Sequence, residues 1–119
     1  MLPHEQTLTK LAIAEDTFYE ALLASERANV KQSGLDEKTH ALVRLGALVA
    51  VGATAPSYMW SVEAARRHGA TDEEIAGCLI ATLPAIGVAN IVAATPKLAL
   101  ALGFDITDAL EERGVHDVE

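Results

Sequence analysis

Apolar residues recur along this chain at spacings of three and four, which is the period of helices that bury one face. The first such stretch predicts a single helix over residues 5 to 29, with apolar positions at Leu8, Leu11, Ala12, Phe18, Tyr19, Leu22 and Leu23. The sequence KQSG, residues 31 to 34, then ends it. No segment alternates apolar and polar residues with period two for long enough to be a strand. The pattern therefore predicts an all-α protein with five to six helices.

Two helices are predicted in the middle of the chain. Asp36 is in the N-cap position of the second helix, LDEKTHALVRLGALVAV, which we expect to stop near Gly52. Because this helix is apolar almost all round after Ala41, it is predicted to be a central core element. Pro56 suits the first turn of a third helix, where its missing N–H is not needed, and Gly69 supplies the left-handed residue that ends it.

The last predicted helices begin at polar capping residues. Thr71, with Glu74 three residues later, forms a capping box for the fourth helix. A fifth helix is expected to end at Gly103, and Asp105 or Thr107 can cap a short sixth helix. The last five residues, VHDVE, are predicted to be a loose tail.

Residues 75 to 96 carry no charge, and this run is long enough to span a bilayer. However, Pro84 divides it near its middle, Asn90 would lie unpaired in lipid, and no Trp or Tyr flanks its ends. We therefore expect no membrane span but two buried helices that meet at Pro84, the second kinked or broken at Pro96. A chain of this size hides only about two thirds of its surface, so the run also predicts burial between subunits.

Composition narrows the possible functions. The chain has 119 residues, which we expect to form a single domain over residues 1–119. A formal net charge of −8 leaves no basic stripe for nucleic acid. One cysteine excludes an intramolecular disulfide, and the start MLPHEQ has no secretory pattern, so we expect a cytoplasmic protein. The sequence has no metal-binding or phosphate-binding motif, and we expect no metal and no cofactor.

Two segments resemble a known family. Leu35 to Thr39, LDEKT, opens the core helix, and Ala65 to Ile75 read A-x-x-x-G-A-T-x-E-E-I, before an apolar helix that contains Gly87. Over roughly residues 35 to 103, this order resembles the carboxymuconolactone decarboxylase superfamily, which includes the alkylhydroperoxidase D-like proteins. The resemblance implies a small all-helical subunit of the alkylhydroperoxidase D-like type, assembled as a homotrimer or homohexamer around a shared helical core.

The family has two chemistries, and this sequence disfavours one of them. The redox branch reduces peroxides with Cys-x-x-Cys-x-x-x-His and an upstream glutamate. The decarboxylase branch releases CO2 from a lactone carboxylate without a cofactor, and the resemblance implies that a histidine at the same late position contributes, so any acid–base step in this chain needs a different residue. Here the redox positions fall on residues without that chemistry: Thr54 and Ser57 for the cysteines, Ser61 for the histidine, and Ala41 or Leu42 for the glutamate. Cys78 lies among apolar residues and is expected to be a small buried hydrophobe. Dithiol peroxidase activity is therefore disfavoured.

Arg44 and His40 are the first candidate site residues. They form an i, i+4 pair on the core helix, with Glu37 one turn earlier. Arg44 is the only charge between Ala41 and Ala53, so it can hold a carboxylate in a pocket. His40 can act as an acid or a base near neutral pH. The alternative is that these residues only mark the solvent edge of a mostly buried helix.

Polar groups of the third and fifth helices complete the candidate site. The start of the third helix can present three hydroxyls together, those of Thr54, Ser57 and Ser61. Its first-turn N–H groups favour an anion, and Trp60 and Tyr58 would give the pocket an aromatic wall. Serine and threonine at helix starts are also common caps, so a structural role stays open. Asn90 either bonds across a helix interface or reaches a ligand.

These residues support two hypotheses of function. The first is a cofactor-free enzyme, with decarboxylation or lactone-type chemistry, that acts on a small and partly apolar carboxylate. Arg44 would anchor the carboxylate, His40 would move the proton, and the hydroxyls would orient the ring. The second is a non-catalytic ligand-binding or scaffold oligomer that has lost the family's active site.

Overall fold

The computed structural model describes residues 1–112 and residue 114, which form eight α-helices and contain no strand. The helices are α1 (Pro3–Ala12), α2 (Asp16–Leu23), α3 (Glu26–Ser33), α4 (Glu37–Val51), α5 (Ala55–Arg67), α6 (Asp72–Ile86), α7 (Val88–Leu102) and α8 (Ile106–Glu112). The all-α prediction is confirmed, with more helices than the five to six expected. The predicted tail VHDVE lies outside the described residues. The chain divides into two compact units, Met1–Glu37 and the chain from Lys38 onward.

The first unit contains three helices where the sequence predicts one. α1 ends because Ala14 has a left-handed backbone, with a φ of 53°. The N–H of Glu15 bonds to the carbonyl of Lys10, and that of Ala14 to the carbonyl of Leu11, which is the bonding that usually ends a helix at glycine. Alanine in this conformation costs about 1–2 kcal/mol, and the apolar pattern gives no sign of it. The prediction of one helix over residues 5 to 29 is therefore wrong.

A serine makes the second break in this unit. Ser25 accepts a hydrogen bond from the N–H of Ala28 at 3.0 Å and so caps α3. Asn29 donates its side-chain amide to the carbonyl of Leu22 at 3.0 Å, which satisfies a carbonyl left open at the end of α2. No residue of Met1–Glu37 is buried, and its apolar side chains are half-buried or exposed.

In the second unit, α4 ends as predicted. Gly52 has a φ of 68° and follows Val51, the last residue of the helix. Its N–H bonds to the carbonyl of Val49, and the N–H of Ala53 bonds to the carbonyl of Leu48. These two bonds close the last turn of α4 and begin the short connection to α5.

The connection from α5 to α6 also has the predicted form. Gly69, with a φ of 91°, follows the end of α5. The Glu74 carboxylate accepts a hydrogen bond from the Thr71 N–H at 2.9 Å, and the Thr71 hydroxyl accepts one from the Glu74 N–H at 3.0 Å. Arg66 adds a two-point ion pair with Asp72, at 3.0 and 3.1 Å. Together these contacts fix the last turn of α5 to the first turn of α6.

The uncharged run breaks at Gly87 rather than at Pro84. α6 continues through Pro84 to Ile86, and α7 begins at Val88. Pro84 lies in the last turn of α6, where the bond that its missing N–H removes is the one to the carbonyl of Ile80. Gly87 has a φ of 98° and a ψ of 156°, a conformation that residues with a side chain rarely adopt. The prediction of a junction at Pro84 is therefore wrong.

The end of α7 is tied to α5. α7 is continuous through Pro96 rather than broken there, and it ends at Gly103, whose φ is 94°. The Arg66 guanidinium donates to the carbonyl of Leu102 at 3.0 Å, so a cation meets the negative end of the α7 dipole. Asp105 caps α8 by accepting a 2.9 Å bond from the backbone N–H two residues later.

The core of the second unit is shared by α4, α5, α6 and α7. Its fully buried large side chains are Tyr58, Leu45, Ile75, Leu98, Val49 and Val62. Alanines fill the spaces between them, at Ala41, Ala65, Ala70 and Ala94. Gly46 lets α4 approach α6 closely, since a Cβ there would lie 3.2 Å from the methyl group of Thr82. Small residues thus pack around the buried ring of Tyr58 and a few aliphatic side chains.

Most of the uncharged run is exposed in the single chain, so its two helices are not buried within one subunit, and the expected burial between subunits stays a prediction. Ile80 is 75% exposed, Val88 67% and Val92 64%. Among the described residues, no single helix is long and apolar enough to cross a membrane. α7 and α8 meet that criterion only when taken together, and they bend by 102° between them.

The first turn of α6 makes the stability of the fold sensitive to acid. The pKa of Glu74 is lowered by its bond from the Thr71 N–H and by Lys38, whose Nζ lies 3.0 Å from the carboxylate. The bond from Arg66 likewise lowers the pKa of Asp72. Because both pKa values are lower in the folded state, the stabilisation is complete above their ordinary values of about 4. This stabilisation is lost as the pH falls through the lower pKa values that the two carboxyl groups have in the folded state.

We expect Glu74→Gln to lower the melting temperature at neutral pH. Between about pH 5 and pH 2, the melting temperature of the variant should then fall less than that of the wild type. Glutamine keeps an oxygen for the capping bond but has no charge to pair with Lys38. Thermal unfolding followed by circular dichroism measures both effects. Glu73→Gln removes the same charge from the neighbouring exposed residue and is the control. Equal pH profiles for the two variants would contradict this account.

Candidate functional site

An open cleft of about 350 Å³ lies between α4 and α5. Arg44 and Leu48 line it from α4, one helical turn apart, and α5 contributes Pro56, Ser57, Trp60 and Ser61. The volume is at the lower end of the range for ligand pockets, and the cleft is open to solvent. Three of its lining residues are apolar and three are polar.

Arg44 gives this cleft its positive charge. It is the only charged side chain among the described residues that line the cleft. Pro56 has no N–H, and the N–H of Ser57 bonds to the carbonyl of Thr54, so the first turn of α5 contributes the positive end of a helix dipole rather than free donors. A guanidinium and a helix N-terminus are both groups that attract anions, here in a chain with a net charge of −8. A carboxylate matches a guanidinium best, through two parallel hydrogen bonds.

Two serines and a tryptophan form the α5 side of the cleft. Ser57 and Ser61 are four residues apart, so their hydroxyls lie on one face of the helix. Trp60 is 78% exposed and presents a flat apolar surface. Tyr58 does not share in this wall, because it is fully buried in the core. Its hydroxyl has no hydrogen-bond partner among the described residues, and burial raises its pKa.

His40 is not among the residues that line the cleft. It is buried in the first half of α4, next to Ala41, with 6% of its surface exposed. It therefore does not mark a solvent edge, and of the i, i+4 pair only Arg44 reaches the cleft. A proton transfer between His40 and a ligand there would need a water molecule or another group between them.

Thr54 and Asn90 also lie outside the cleft lining. Thr54 is the exposed N-cap of α5, and its side chain makes no capping bond. Asn90 is exposed on α7. The structure thus brings part of the predicted set together and adds two residues that the sequence analysis missed, Leu48 and Pro56. The spacing of Leu48, four residues after Arg44, was the signal that could have found it.

Cys78 is half-buried on α6 and is the chain's one cysteine. Its Sγ lies 3.7 Å from the carbonyl oxygen of Leu42 and 3.6 Å from that of Glu74. Burial raises the pKa of the thiol, and the negative charge of Glu74 raises it further. Such a group stays protonated near neutral pH, and the protonated thiol is a poor nucleophile. The described residues also contain no group of three or more His, Cys, Asp or Glu side chains placed to hold a metal ion.

Comparison with known proteins identifies the family. The sequence profile of the carboxymuconolactone decarboxylase family matches residues 16–99, which is more than half of the chain and includes every residue that lines the cleft. The chain belongs to this family. The match begins in α2, earlier than the resemblance over residues 35 to 103 indicated. No curated protein and no solved structure matches the chain.

The cleft includes two of the four positions that the family resemblance assigns to redox chemistry, whereas Thr54, at the position of the first cysteine, lies outside it. Ser57 and Ser61, at the positions of the second cysteine and the histidine, both line it. At the position of the glutamate, Ala41 is buried in the core and Leu42 is half-buried. Where redox members of the family have thiols and imidazole, this chain therefore has hydroxyls beside a guanidinium.

We expect Cys78 to react with iodoacetamide at least about tenfold more slowly in the folded protein than in the urea-unfolded chain, because little thiolate is present and access is limited. Mass spectrometry of timed samples measures the rates. Hydrogen peroxide should be consumed no faster by the wild type than by Cys78→Ser. Rapid peroxide consumption that disappears in Cys78→Ser would overturn the assignment of Cys78 as an inert residue.

Proposed function

We propose that the protein is a cofactor-free enzyme of the family's decarboxylase type, which binds a small and partly apolar carboxylate in the cleft between α4 and α5. The position of Arg44 supports this most strongly: a guanidinium in a cleft lined otherwise by hydroxyls and apolar groups. Trp60 offers a flat surface for the apolar part of the ligand. Ser57 and Ser61 can orient its oxygen atoms.

Decarboxylation sets a requirement for Arg44. The carbon–carbon bond breaks, the carboxylate leaves as CO2, and the electron pair passes to the remaining skeleton, where a carbonyl oxygen can hold it until a proton replaces the carboxylate. Negative charge thus leaves one group and develops on another. A cation speeds the reaction only if it binds the developing charge more strongly than the substrate carboxylate. The five N–H donors of Arg44 allow it to contact both groups.

A second function, ligand binding without turnover, is favoured by a separate observation. None of the described side chains that line the cleft titrates near neutral pH, and His40 lies outside the lining. An enzyme would then take its proton from water, which reaches the open cleft. A binding protein needs no such step. Both functions begin with the same bound carboxylate and differ in whether CO2 is released.

Binding can be followed through Trp60, which is the chain's only tryptophan. We expect benzoate, a small carboxylate with a flat apolar part, to change its fluorescence and to bind more tightly than neutral benzamide. Arg44→Gln removes a charged pair of hydrogen bonds and is expected to weaken benzoate binding by about ten- to a hundredfold. Arg67→Gln removes an exposed arginine that pairs with Glu63 on the same helix, and it should bind benzoate like the wild type. Equal affinity of Arg44→Gln and the wild type would refute the proposed site.

Release of CO2 separates the two functions. Carboxymuconolactone, the compound in the family's name, is the first substrate to test. The enzyme hypothesis predicts CO2 release above the uncatalysed rate and a lower kcat/KM for Arg44→Gln. A rise in melting temperature with this compound, without CO2 release, would support the binding protein instead. If no small carboxylate either releases CO2 or raises the melting temperature, both functions are contradicted.

We also propose that the subunit assembles with copies of itself as a homotrimer or homohexamer. The support is an exposed apolar surface on α6 and α7 that includes Ile80, Val88 and Val92. This surface belongs to a run without any charge, and monomeric proteins rarely expose large apolar patches. The abundant small residues of the run would allow close packing between helices of neighbouring subunits.

Light scattering is expected to give three or six times the 12.6 kDa mass of the chain. The double variant Ile80→Glu, Val92→Glu should give a smaller mass, because it places two charges in the proposed interface. Lys31→Glu makes the same change in net charge at an exposed position of α3 and should leave the assembly intact. A wild-type mass of 12.6 kDa at micromolar concentration would contradict the assembly.

A further inference from the structure

Lys97 is the one charged residue of α7, a helix otherwise built of apolar and small polar side chains. Its neighbours Ala94 and Leu98 are buried in the core, whereas Lys97 is half-buried. Its Nζ donates a hydrogen bond to the carbonyl oxygen of Ala53 at 3.1 Å. The stem of this lysine thus packs along the unit, and its ammonium group ends at the turn between α4 and α5.

This turn joins the two walls of the cleft. Ala53 is held from both sides, because its N–H bonds to the carbonyl of Leu48 while its carbonyl accepts from Lys97. Leu48 is itself a lining residue of the cleft. One residue further along, the carbonyl of Thr54 accepts from the N–H of Ser57, which lines the opposite wall. Lys97 thus bonds to the residue that ties the turn to Leu48 on one wall, and the next residue of the chain, Thr54, ties the turn to Ser57 on the other.

We propose that Lys97 is a positioning residue, which fixes the turn at Ala53 and thereby sets the spacing between Arg44 on α4 and the α5 side of the cleft. This inference rests on the proposed function, since it assigns Lys97 to the carboxylate site without placing it in contact with the ligand. The bond at Ala53 adds a side-chain contact to a turn that is otherwise closed by the backbone bonds of Gly52, Ala53 and Ser57. Gly52 and Thr54 on either side of Ala53 are exposed.

Two simpler roles of Lys97 make different predictions. A residue that only stabilised the fold would change the melting temperature but not the affinity of the folded protein. A residue that only added positive charge near the cleft would act over distance, and salt would screen its effect. A positioning residue changes affinity at every salt concentration, and a substitute that still donates to Ala53 restores it.

The test compares Lys97→Met, Lys97→Arg and the control Lys38→Met. Methionine keeps an apolar stem of similar length, so the variant retains its packing but has no donor for Ala53. Lys38→Met removes the same charge from α4, where Lys38 pairs with Glu74 and does not line the cleft. Benzoate affinity is measured through Trp60 fluorescence at low and high salt. Amide hydrogen exchange of Ala53 and Ser57 is measured without ligand.

We expect Lys97→Met to weaken benzoate binding by about tenfold at both salt concentrations, and Lys97→Arg to recover most of the loss. The amides of Ala53 and Ser57 should exchange faster in Lys97→Met than in the wild type. Lys38→Met should lower the melting temperature and leave both readouts unchanged. Unchanged affinity in Lys97→Met, or a loss that high salt abolishes, would overturn the proposal.

The exchange measurement keeps this inference separate from the proposed function. If the wild type binds neither benzoate nor any other small carboxylate, the proposed function fails. Faster exchange at Ala53 and Ser57 in Lys97→Met, which reports a turn that opens more readily, would still support positioning by Lys97. Unchanged exchange at both amides would overturn the positioning role whether or not benzoate binds.

Discussion

The turn between α4 and α5 is the constraint on which the cleft depends. Gly52 takes a left-handed conformation that closes α4, and α5 begins at Ala55. Because the connection is so short, the end of α4 and the start of α5 stay close together, and residues one to two turns from it on each helix line one cleft. Arg44 on α4 thereby comes to share one cleft with the serines of α5. The site is a consequence of how two helices are joined.

The charged side chain that lines the cleft is opposite in sign to the net charge of the chain. The chain is acidic, with a formal net charge of −8, yet its cleft combines a guanidinium with the positive end of a helix. Interactions between exposed charges decay within about 10 Å at ordinary salt, so the charge near the cleft can differ from that of the whole chain. Ser57 and Ser61 lie at positions that the family resemblance assigns to redox groups. The described lining of the cleft thus offers a guanidinium and hydroxyls, and it contains no thiol.

Helix ends were predictable where a residue with a special backbone role marks them, as at Gly52, Gly69 and Gly103. The break at Ala14 was not, because a left-handed alanine leaves no trace in the apolar pattern. At the α6–α7 junction, proline and glycine gave competing signals, and the glycine conformation prevailed. Helical spacing predicted that Ser57 and Ser61 share a face. Which residues of α4 meet that face depends on packing between helices, so His40 and Arg44 could not be separated in advance.

The most direct test of this account is a crystal structure of the protein with bound benzoate. We predict that both carboxylate oxygens lie within about 3 Å of the Arg44 guanidinium, with the ring against Trp60. Contact of the carboxylate with Ser57 or Ser61 would add support for their orienting role. Benzoate bound elsewhere, or an Arg44 side chain that points away from an occupied cleft, would contradict the central claim.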